Sequence, residues 1–351
     1  MGNMVYNVNN NSTRVLAAKR IKENLFVSLL HRNGKGITQQ EETNVSTLRM
    51  LKPVQLDGDA RELGATTNGA FFNAHNVGEQ NVIEYDLNLL YIYDKMIDIP
   101  EVQEDLVPID VFDAANKNIG GRIATEINAS TIAHQLANRF NEAKKEGAWY
   151  DPENNIFVGV VIDDSAKKHY NAIMSASSKL DDGDEANGIQ AFPFEDREII
   201  MRSSFRQSLM SESGVLLGGS NYAQSMIAKG GVSPDASKDF GNMYVGEIDL
   251  VPCYVAPSAI WKRSGKWVGD ENAFNKVQAM MCAASATDRG ISTMDYVKVI
   301  DSPGGAGKRL QPKVRWGINV CYGGGIVPIL ANDIEAPTTD LTISAPGNTS
   351  N

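Results

Sequence analysis

Few residues in this 351-residue chain combine a reactive type with the spacing that catalysis requires. The run Gly218-Gly-Ser220-Asn-Tyr222 begins like the nucleophile elbow of a serine hydrolase. Tyr222 stands where the elbow needs a glycine to close its tight turn, so the motif is incomplete. The four histidines form no HExxH pair; they are His31, His75, His134 and His169. His134 lies inside a long helical pattern, and we interpret it as a packed or surface residue rather than a base or a metal ligand.

Phosphate and metal motifs are incomplete as well. The run Ser302-Pro-Gly-Gly-Ala-Gly-Lys-Arg309 has serine in place of the first glycine of a phosphate loop, and Arg309 replaces the hydroxyl residue that binds magnesium. We interpret it as a basic turn between two strands. The cluster Asp181–Glu185 resembles a calcium loop in composition, but Ala186 and Pro193 occupy positions that should supply oxygen ligands. The sequence therefore predicts no catalytic, cofactor-binding or metal-binding residues, and it favours a structural protein over an enzyme.

Charge and composition narrow the function classes further. The formal net charge of −10 argues against a nucleic-acid-binding protein, because neutralising phosphates requires clustered Lys and Arg. The three cysteines stand far apart without a CxxC pair, which favours a reducing compartment over a disulfide scaffold or a zinc site. The N-terminal residues do not form a signal peptide, and the longest uncharged run, Trp316–Asn332, is shorter than the roughly 20 apolar residues of a membrane span. We therefore expect a soluble cytoplasmic protein.

Two neighbouring patterns define the architecture. Residues 82–93 alternate between apolar and polar side chains, which predicts a half-buried strand whose inner face carries Ile83, Tyr85, Leu87 and Leu89. Residues 109–145 repeat apolar side chains at helical spacing, at Ile119, Ile123, Ile127, Ile132, Leu136 and Phe140. At about 1.5 Å per residue this helix would span on the order of 55 Å, which is far longer than most helices of globular proteins. We interpret a helix of this length as a structural support of the fold rather than as part of a catalytic site.

The remainder of the chain predicts an α+β module, because its strands and helices do not alternate regularly. We expect strands at 156–162, 197–205, 245–255 and 314–321. We also expect a helix that Asp163–Ser165 caps and that ends near Leu180, and an Ala- and Met-rich helix over Phe274–Ala286. Beyond Asn332 the chain lacks Lys and Arg and is rich in Thr, Pro and Ser, so we predict a flexible tail.

Opposite charges divide the first 86 residues. Residues 1–52 hold eight basic and three acidic side chains, a balance of +5, whereas residues 54–86 hold six acidic side chains and one arginine, a balance of −5. Glycines punctuate the acidic segment around Phe71 and Phe72, which favours an extended hairpin loop. Two such segments are either arms that meet another surface or solvated loops, and composition leaves both interpretations open.

The order of these elements resembles the major capsid protein of tailed bacteriophages, a fold shared with herpesvirus capsid floors and encapsulin nanocompartments. Residues 89–100 resemble the strand that enters the peripheral domain, and residues 110–145 resemble its spine helix. Residues 197–205 and 244–252 resemble segments of the axial domain. The resemblance covers about residues 14–330 and rests on element order rather than on an invariant motif.

The resemblance implies a division of the chain into six parts. They are an N-terminal arm (1–52), an extended loop (53–86), a peripheral domain with the spine helix (87–155), an axial domain (156–295), strands that return to the peripheral domain (296–332) and a flexible tail (333–351). In that family the arm and the loop reach over neighbouring subunits. The charge balances of +5 and −5 would then be complementary between subunits, with Phe71 and Phe72 as apolar anchors.

The implied function is a subunit of an icosahedral shell around phage DNA, without enzymatic activity. The implied partners are further copies in hexamers and pentamers, a portal protein, a scaffolding protein, a cement protein, and packaged DNA bound without sequence specificity. Residues 53–94 contain no lysine, so covalent crosslinking through this loop is not expected. The region before the long helix is too short for a fused scaffolding domain, which implies a separate scaffold or earlier proteolysis. The expected location is the virion, after assembly in the cytoplasm of the bacterial host.

Two alternatives remain open. The first is an encapsulin-like shell around a cargo enzyme. The second is a soluble α+β hydrolase that uses Ser220 or His134 without a recognisable motif.

Overall fold

The computed structural model describes residues 47–53, 82–93, 95–100, 111–146, 150–151, 156–157, 159–163, 167–183, 191–216, 243–249, 251–301, 307–331 and 340–346. Most of the predicted N-terminal arm, most of the acidic loop with Phe71 and Phe72, and Ser220 lie outside these residues.

Helices and strands are numbered in chain order. The helices are α1 (Val111–Glu146), α2 (Lys168–Asp181), α3 (Ser203–Leu216) and α4 (Ser258–Lys266). The strands are β1 (Thr47–Pro53), β2 (Val82–Asn88), β3 (Tyr91–Tyr93), β4 (Ile97–Pro100), β5 (Tyr150–Asp151), β6 (Ile156–Phe157), β7 (Val160–Val161), β8 (Arg197–Arg202), β9 (Tyr244–Ile248), β10 (Val251–Ala256), β11 (Val277–Ala283), β12 (Thr287–Asp301), β13 (Gly307–Val320) and β14 (Ile326–Leu330).

Helix α1 is the predicted long helix, and its 36 residues span about 54 Å. The apolar positions that predicted it are all buried: Ile119, Ile123, Ile127, Ile132, Leu136 and Phe140. Residues 127–133 are buried without interruption, because α4, β13 and β14 all pack against the helix. The helix therefore belongs to the core on several sides rather than on one stripe.

A four-stranded sheet packs against α1. Strand β13 is its centre, with β12 along one edge and β3 and β4 in succession along the other. Leu87 and Leu89 are buried and Asn88 and Leu90 are exposed, so the predicted alternation is confirmed where side chains are described. At Gly317 of β13 a side chain would collide with the backbone carbonyl of Asn88, which explains the glycine.

A six-stranded sheet in the order β7-β14-β11-β8-β10-β9 forms the second module. Four of its strands are buried along nearly their whole length, which is the pattern of a sheet covered on both faces. Helices α2 and α3 contact its central strands. The predicted strand at 245–255 is in fact the antiparallel pair β9 and β10, joined at a turn where Asp249 has a φ of 51°.

Two secondary-structure predictions in this module are wrong. The predicted helix over Phe274–Ala286 is strand β11, followed by a short 3-10 turn. The neighbouring strands β8 and β14 pair with the backbone of β11 on both edges. Met280 and Met281 are both buried, on opposite faces of the strand. Pairing with these strands therefore overrides the helix propensity of the Ala and Met residues. The strand predicted at 197–205 ends at Arg202, where α3 begins.

The predicted cap of α2 is also wrong. The helix begins at Lys168, after Asp163–Ser165, and its N-cap residue makes no capping hydrogen bond through its side chain. Glu212 of α3 takes this role, since its carboxylate accepts hydrogen bonds from the backbone N–H groups of His169 at 3.0 Å and Tyr170 at 3.3 Å. Because this capping residue belongs to another helix, no pattern in the sequence next to α2 predicts it.

The tail prediction is wrong for residues 340–346. Asn141 of α1 donates to the carbonyl of Leu341 and accepts from its N–H, and Ser344 donates its N–H to the carbonyl of Trp267. Leu341, Ile343 and Ala345 pack on the core. The predicted return segment 296–332 is divided between the sheets: β13 belongs to the four-stranded sheet and β14 to the six-stranded one.

Candidate functional site

A cavity of about 500 Å³ opens between β3, α1, α4 and the segment 340–346, and it is called the β3–α1 cavity below. Its wall includes Tyr91 from β3, Arg122 and Glu126 from α1, and Arg263 from α4. This volume lies within the range of cavities that hold ligands or side chains of a partner. The cavity therefore joins residues from the beginning, the middle and the end of the described chain.

The alternation of β3 sets which side chains reach α1. Tyr91 pairs with Trp316 of β13, and Ile92 pairs with Arg315. Trp316 is buried, whereas Arg315 is exposed and Ile92 is 52% exposed. One face of this sheet thus packs on α1 and the opposite face stays open.

Three aromatic rings form one side of the cavity. The ring centroid of Tyr91 lies 4.7 Å from that of Trp267, at an interplanar angle of 85°. Trp316 lies 6.0 Å from Tyr91 and 6.2 Å from Trp267. The two contacts of Trp267 are edge-to-face, and contacts of this kind hold rings in fixed orientations. The cavity consequently has a rigid apolar wall.

His134 lies behind this wall. Its Nε2 shares a hydrogen bond of 2.8 Å with the Tyr91 hydroxyl. Burial lowers the pKa of His134 to about 4 and raises the pKa of Tyr91, because both charged forms lose hydration. His134 is therefore a packed, neutral residue at pH 7, and this contact is structural.

Charged side chains line the opening of the cavity. Arg263 pairs with Glu126, with 2.7 Å between Nε and Oε1. Burial raises the pKa of Tyr93, and the charge of Arg122 beside it opposes that rise. Lys95 is exposed at the same opening, so three cations stand against one carboxylate among the described lining residues. The cavity is electropositive in a chain whose formal net charge is −10.

The other sequence candidates have structural partners. The imidazole of His169 bonds Glu212 and packs edge-on against Phe205 at 4.9 Å, which ties α2 to α3. From the predicted acidic turn, Asp181 accepts a hydrogen bond from the buried Arg197, and Asp182 pairs with Lys179 at 3.1 Å. Within the described residues no group of three His, Cys, Asp or Glu side chains could hold a metal ion.

The predicted basic turn also has a structural setting. Residues 302–306 lie outside the described chain. The strands on either side, β12 and β13, pair antiparallel, which agrees with a turn between two strands. Arg309 donates two hydrogen bonds to the carboxylate of the exposed Asp98 of β4, from Nε to Oδ1 at 2.5 Å and from Nη2 to Oδ2 at 2.8 Å. These hydrogen bonds lower the pKa of Asp98. The arginine thus fixes the register of β4 on β13.

The cysteines are free thiols: Cys253 and Cys282 are buried and Cys321 is partly buried. Burial, reinforced by the nearby Glu198, raises the pKa of Cys282, which keeps it a protonated and unreactive thiol. The Sγ of Cys321 lies 3.0 Å from a carboxylate oxygen of Asp288.

A buried polar junction connects α1 to both sheets. Arg289 of β12 is 3% exposed and donates to the hydroxyl of Thr131 at 3.2 Å. Burial lowers its pKa to about 10, against the opposing effect of the buried carboxylate of Glu198 in β8. Gln135 donates to Thr287 at 3.1 Å. Polar groups at such a junction fix how the elements align, because any shift leaves a buried group unsatisfied.

Sequence patterns did not reveal the residues of the β3–α1 cavity. Tyr91 was placed correctly on a strand, but Arg122, Arg263 and Trp267 belong to no short motif and meet only through the tertiary fold. The charges along α1 did not indicate the cavity either. Arg122 and Glu126 lie four residues apart, which is the spacing of an ordinary ion pair on a helix surface. None of the helices in the described ranges has the length and apolarity needed to cross a bilayer.

No protein-family model matches the sequence, and no curated protein does either. Solved structures do match. The capsid of Ralstonia phage GP4 is 10% identical, covers 86% of this chain and 91% of that chain, and has a TM-score of 0.50. The head structure of Helicobacter pylori bacteriophage KHP40 is 12% identical, with 85% and 87% covered and a TM-score of 0.49. A virus-like particle from Pyrococcus furiosus is 12% identical, with 91% and 98% covered and a TM-score of 0.46.

The match to the Ralstonia phage capsid shows the fold. This chain has the α+β fold of a tailed-phage capsid subunit, so the predicted fold class is confirmed. The boundaries of the six predicted parts stay a prediction.

Proposed function

We propose that this chain, with the fold of a phage capsid subunit, assembles into an icosahedral shell that encloses phage DNA. The observation that carries the proposal is the fold match to the capsid of Ralstonia phage GP4, which covers 86% of this chain. We assign the four-stranded sheet with α1 to the proposed peripheral domain and the six-stranded sheet to the proposed axial domain.

Exposed apolar side chains support assembly. Leu90 is 75% exposed, Ile92 is 52% exposed and Met96 is 43% exposed, and all three lie within seven residues around β3. Apolar side chains clustered on one surface are typical of a protein–protein contact, since water covers them poorly. A shell subunit would bury such a surface against its neighbours.

The proposed partners follow from this role. Further copies in hexamers and pentamers form the shell, a portal protein and a scaffolding protein direct its assembly, and a cement protein stabilises it. The formal net charge of −10 suits an inner wall that does not hold packaged DNA tightly. The proposed location is the virion, with assembly in the cytoplasm of the bacterial host and without enzymatic activity.

Light scattering coupled to size-exclusion chromatography, followed by negative-stain microscopy, tests the proposal on the purified chain. Rings of five or six subunits, tubes or closed shells are expected, with or without a co-expressed scaffolding protein. A 38.2 kDa monomer under every condition, including added scaffold, would contradict it. A small closed particle that encloses an enzyme instead of DNA would favour the encapsulin-like alternative. A monomer that hydrolyses esters and loses this activity in Ser220→Ala would favour the hydrolase.

A further inference from the structure

We propose that the β3–α1 cavity receives the side chain of Phe194 from a second copy of this chain. Phe194 and the exposed acidic residues around it, Asp181, Asp182 and Glu195, are called the Phe194 patch below. This inference rests on the proposed function and names one contact through which neighbouring copies recognise each other. Three observations carry it: the fixed position of Phe194, the opposite charges of patch and cavity, and the distance between them within one chain.

Phe194 is an exposed aromatic side chain with a rigid support. It is 48% exposed and belongs to the 3-10 turn Phe194–Asp196, which precedes β8. The guanidinium of the buried Arg197 lies against its ring, 4.0 Å from the centroid. The same guanidinium donates to the carbonyl of Phe192 and to the carboxylate of Asp181, so its position is fixed. A large apolar side chain that is already held in place loses little freedom on binding, which is typical of an interface anchor.

The β3–α1 cavity has the size and the wall that such an anchor needs. Its volume of about 500 Å³ is in the range that accommodates a drug-sized ligand, which is larger than one phenyl ring. The rings of Tyr91, Trp267 and Trp316 form its apolar wall. Aromatic rings pack favourably at an angle to one another, so a further ring from a neighbour extends this cluster.

The charges of the two surfaces are opposite. Among the described residues that line the cavity, Lys95, Arg122 and Arg263 stand against Glu126, a balance of +2. Residues 179–182 and 194–197 together hold four acidic and two basic side chains, a balance of −2. A cationic cavity attracts an anchor that is surrounded by carboxylates and disfavours an anchor that is surrounded by cations.

The patch and the cavity of one chain are too far apart to meet. The patch lies beside the C-terminal end of α1, because a Cβ at Gly325 would touch the ring of Phe192 at 3.0 Å and one at Gly323 would collide with the carboxylate of Glu142. The cavity opens at Glu126, sixteen residues earlier on the same helix. This spacing corresponds to about 24 Å at 1.5 Å per residue. The contact therefore requires a second copy.

Because the patch and the cavity are different surfaces, the contact between copies is heterologous. Each copy offers its Phe194 patch to one neighbour and its cavity to another, and contacts of this kind produce closed rings when the rotation closes. The contact joins the six-stranded module of one copy to the four-stranded module of the next. It would account for rings of subunits within a shell.

Charge reversal on each side tests the contact. The cavity variant is Lys95→Glu/Arg122→Glu and the patch variant is Asp182→Lys/Glu195→Lys; both change exposed residues only. The quadruple variant combines the two and restores opposite charges across the contact. Sedimentation velocity measures the protein concentration at which each variant forms rings or shells, and circular dichroism verifies that each one folds.

Two controls and one further variant complete the set. The charge control Lys262→Glu/Lys276→Glu makes the same change in net charge as the cavity variant, at exposed residues that do not line the cavity. Phe194→Ala removes the aromatic anchor without changing any charge. Its control is Met210→Ala, which removes a 37% exposed apolar side chain of α3.

The cavity variant and the patch variant are each expected to raise the assembly concentration about tenfold or more, and Phe194→Ala should raise it to a similar extent. The quadruple variant should recover most of the loss, and both controls should match the wild type.

Three results would overturn the inference while leaving the shell function intact. They are a cavity variant that assembles like its control, a quadruple variant no better than either double variant, and normal assembly of Phe194→Ala. Normal assembly of both patch variants beside a defective cavity variant would assign the cavity to a different occupant. A wild-type chain that never assembles would instead overturn the proposed function.

Discussion

The two sheets of this molecule differ in how completely the chain covers them. In the six-stranded sheet, β8, β10, β11 and β14 are buried along nearly their whole length. In the four-stranded sheet, β3 and β13 bury one face on α1 and expose Ile92 and Arg315 on the other. The chain itself covers both faces of the six-stranded sheet, whereas it covers only one face of the four-stranded sheet. We therefore expect the six-stranded module to contribute most of the stability, and the proposed contacts with other copies to use the four-stranded one.

The largest loss of stability is expected from Arg197→Ala in the six-stranded module. Arg197 is 2% exposed and donates to the carbonyls of Phe192 and Ser177, to the Ser177 hydroxyl and to Asp181. Its removal leaves buried acceptors unsatisfied and should reduce the free energy of unfolding by about 4 kcal/mol. Urea denaturation measures this change, with the exposed Lys262→Ala as control. A loss below about 1 kcal/mol would show that this module does not depend on the buried network.

A slightly smaller loss is expected from Ile123→Ala on α1. Ile123 is fully buried between the helix and its neighbours, so its truncation leaves a cavity. We expect the free energy of unfolding to fall by about 3 kcal/mol. Denaturation followed by tryptophan fluorescence measures it, because Trp267 and Trp316 lie beside the helix. An unchanged midpoint would mean that α1 contributes little to the core.

An intermediate loss of stability is expected at low pH, because His134 is buried in its neutral form. Burial lowers its pKa from 6.5 to about 4, so the unfolded chain binds a proton below pH 6.5 while the folded chain does not. The stability that neutral His134 provides is present above pH 6.5 and is lost as the pH falls towards 4. The loss should be on the order of 2 kcal/mol. Urea denaturation at pH 7.5 and pH 4.5, compared with the same pair of measurements on His134→Gln, isolates this contribution. Equal pH dependence in both proteins would contradict it.

The smallest change in stability, but a clear change in assembly, is expected from Ile92→Asp. Ile92 is 52% exposed, so the free energy of unfolding should change by less than about 0.5 kcal/mol. Because Ile92 belongs to the exposed apolar side chains around β3, a carboxylate there should raise the concentration needed for assembly at least tenfold. The control Met174→Asp places the same charge on a 37% exposed residue of α2. If both variants assembled at the same concentration, the proposal that the four-stranded module contacts other copies would be contradicted.

Local patterns predicted the elements whose apolar side chains recur at a regular spacing. The helical spacing from Ile119 to Phe140 identified α1, and the alternation of Leu87 and Leu89 identified the strand before β3. The same reasoning failed at β11, where Ala and Met residues favour a helix but two neighbouring strands decide the structure.

The alternation of Leu341, Ile343 and Ala345 was a usable signal that the Thr- and Pro-rich composition of the tail concealed. The β3–α1 cavity could not be predicted in the same way. Tyr91, Arg122 and Trp267 are distant in sequence, and only the packing of α1 against β3 and α4 brings them together.

A cryo-electron microscopy reconstruction of the purified assembly tests the central claim most directly. The account predicts an icosahedral shell in which the exposed apolar side chains around β3, Leu90, Ile92 and Met96, are buried against a neighbouring subunit. A shell in which these side chains face solvent would contradict the assigned contact surface. A protein that yields only monomers, even with its scaffold, would contradict the shell itself.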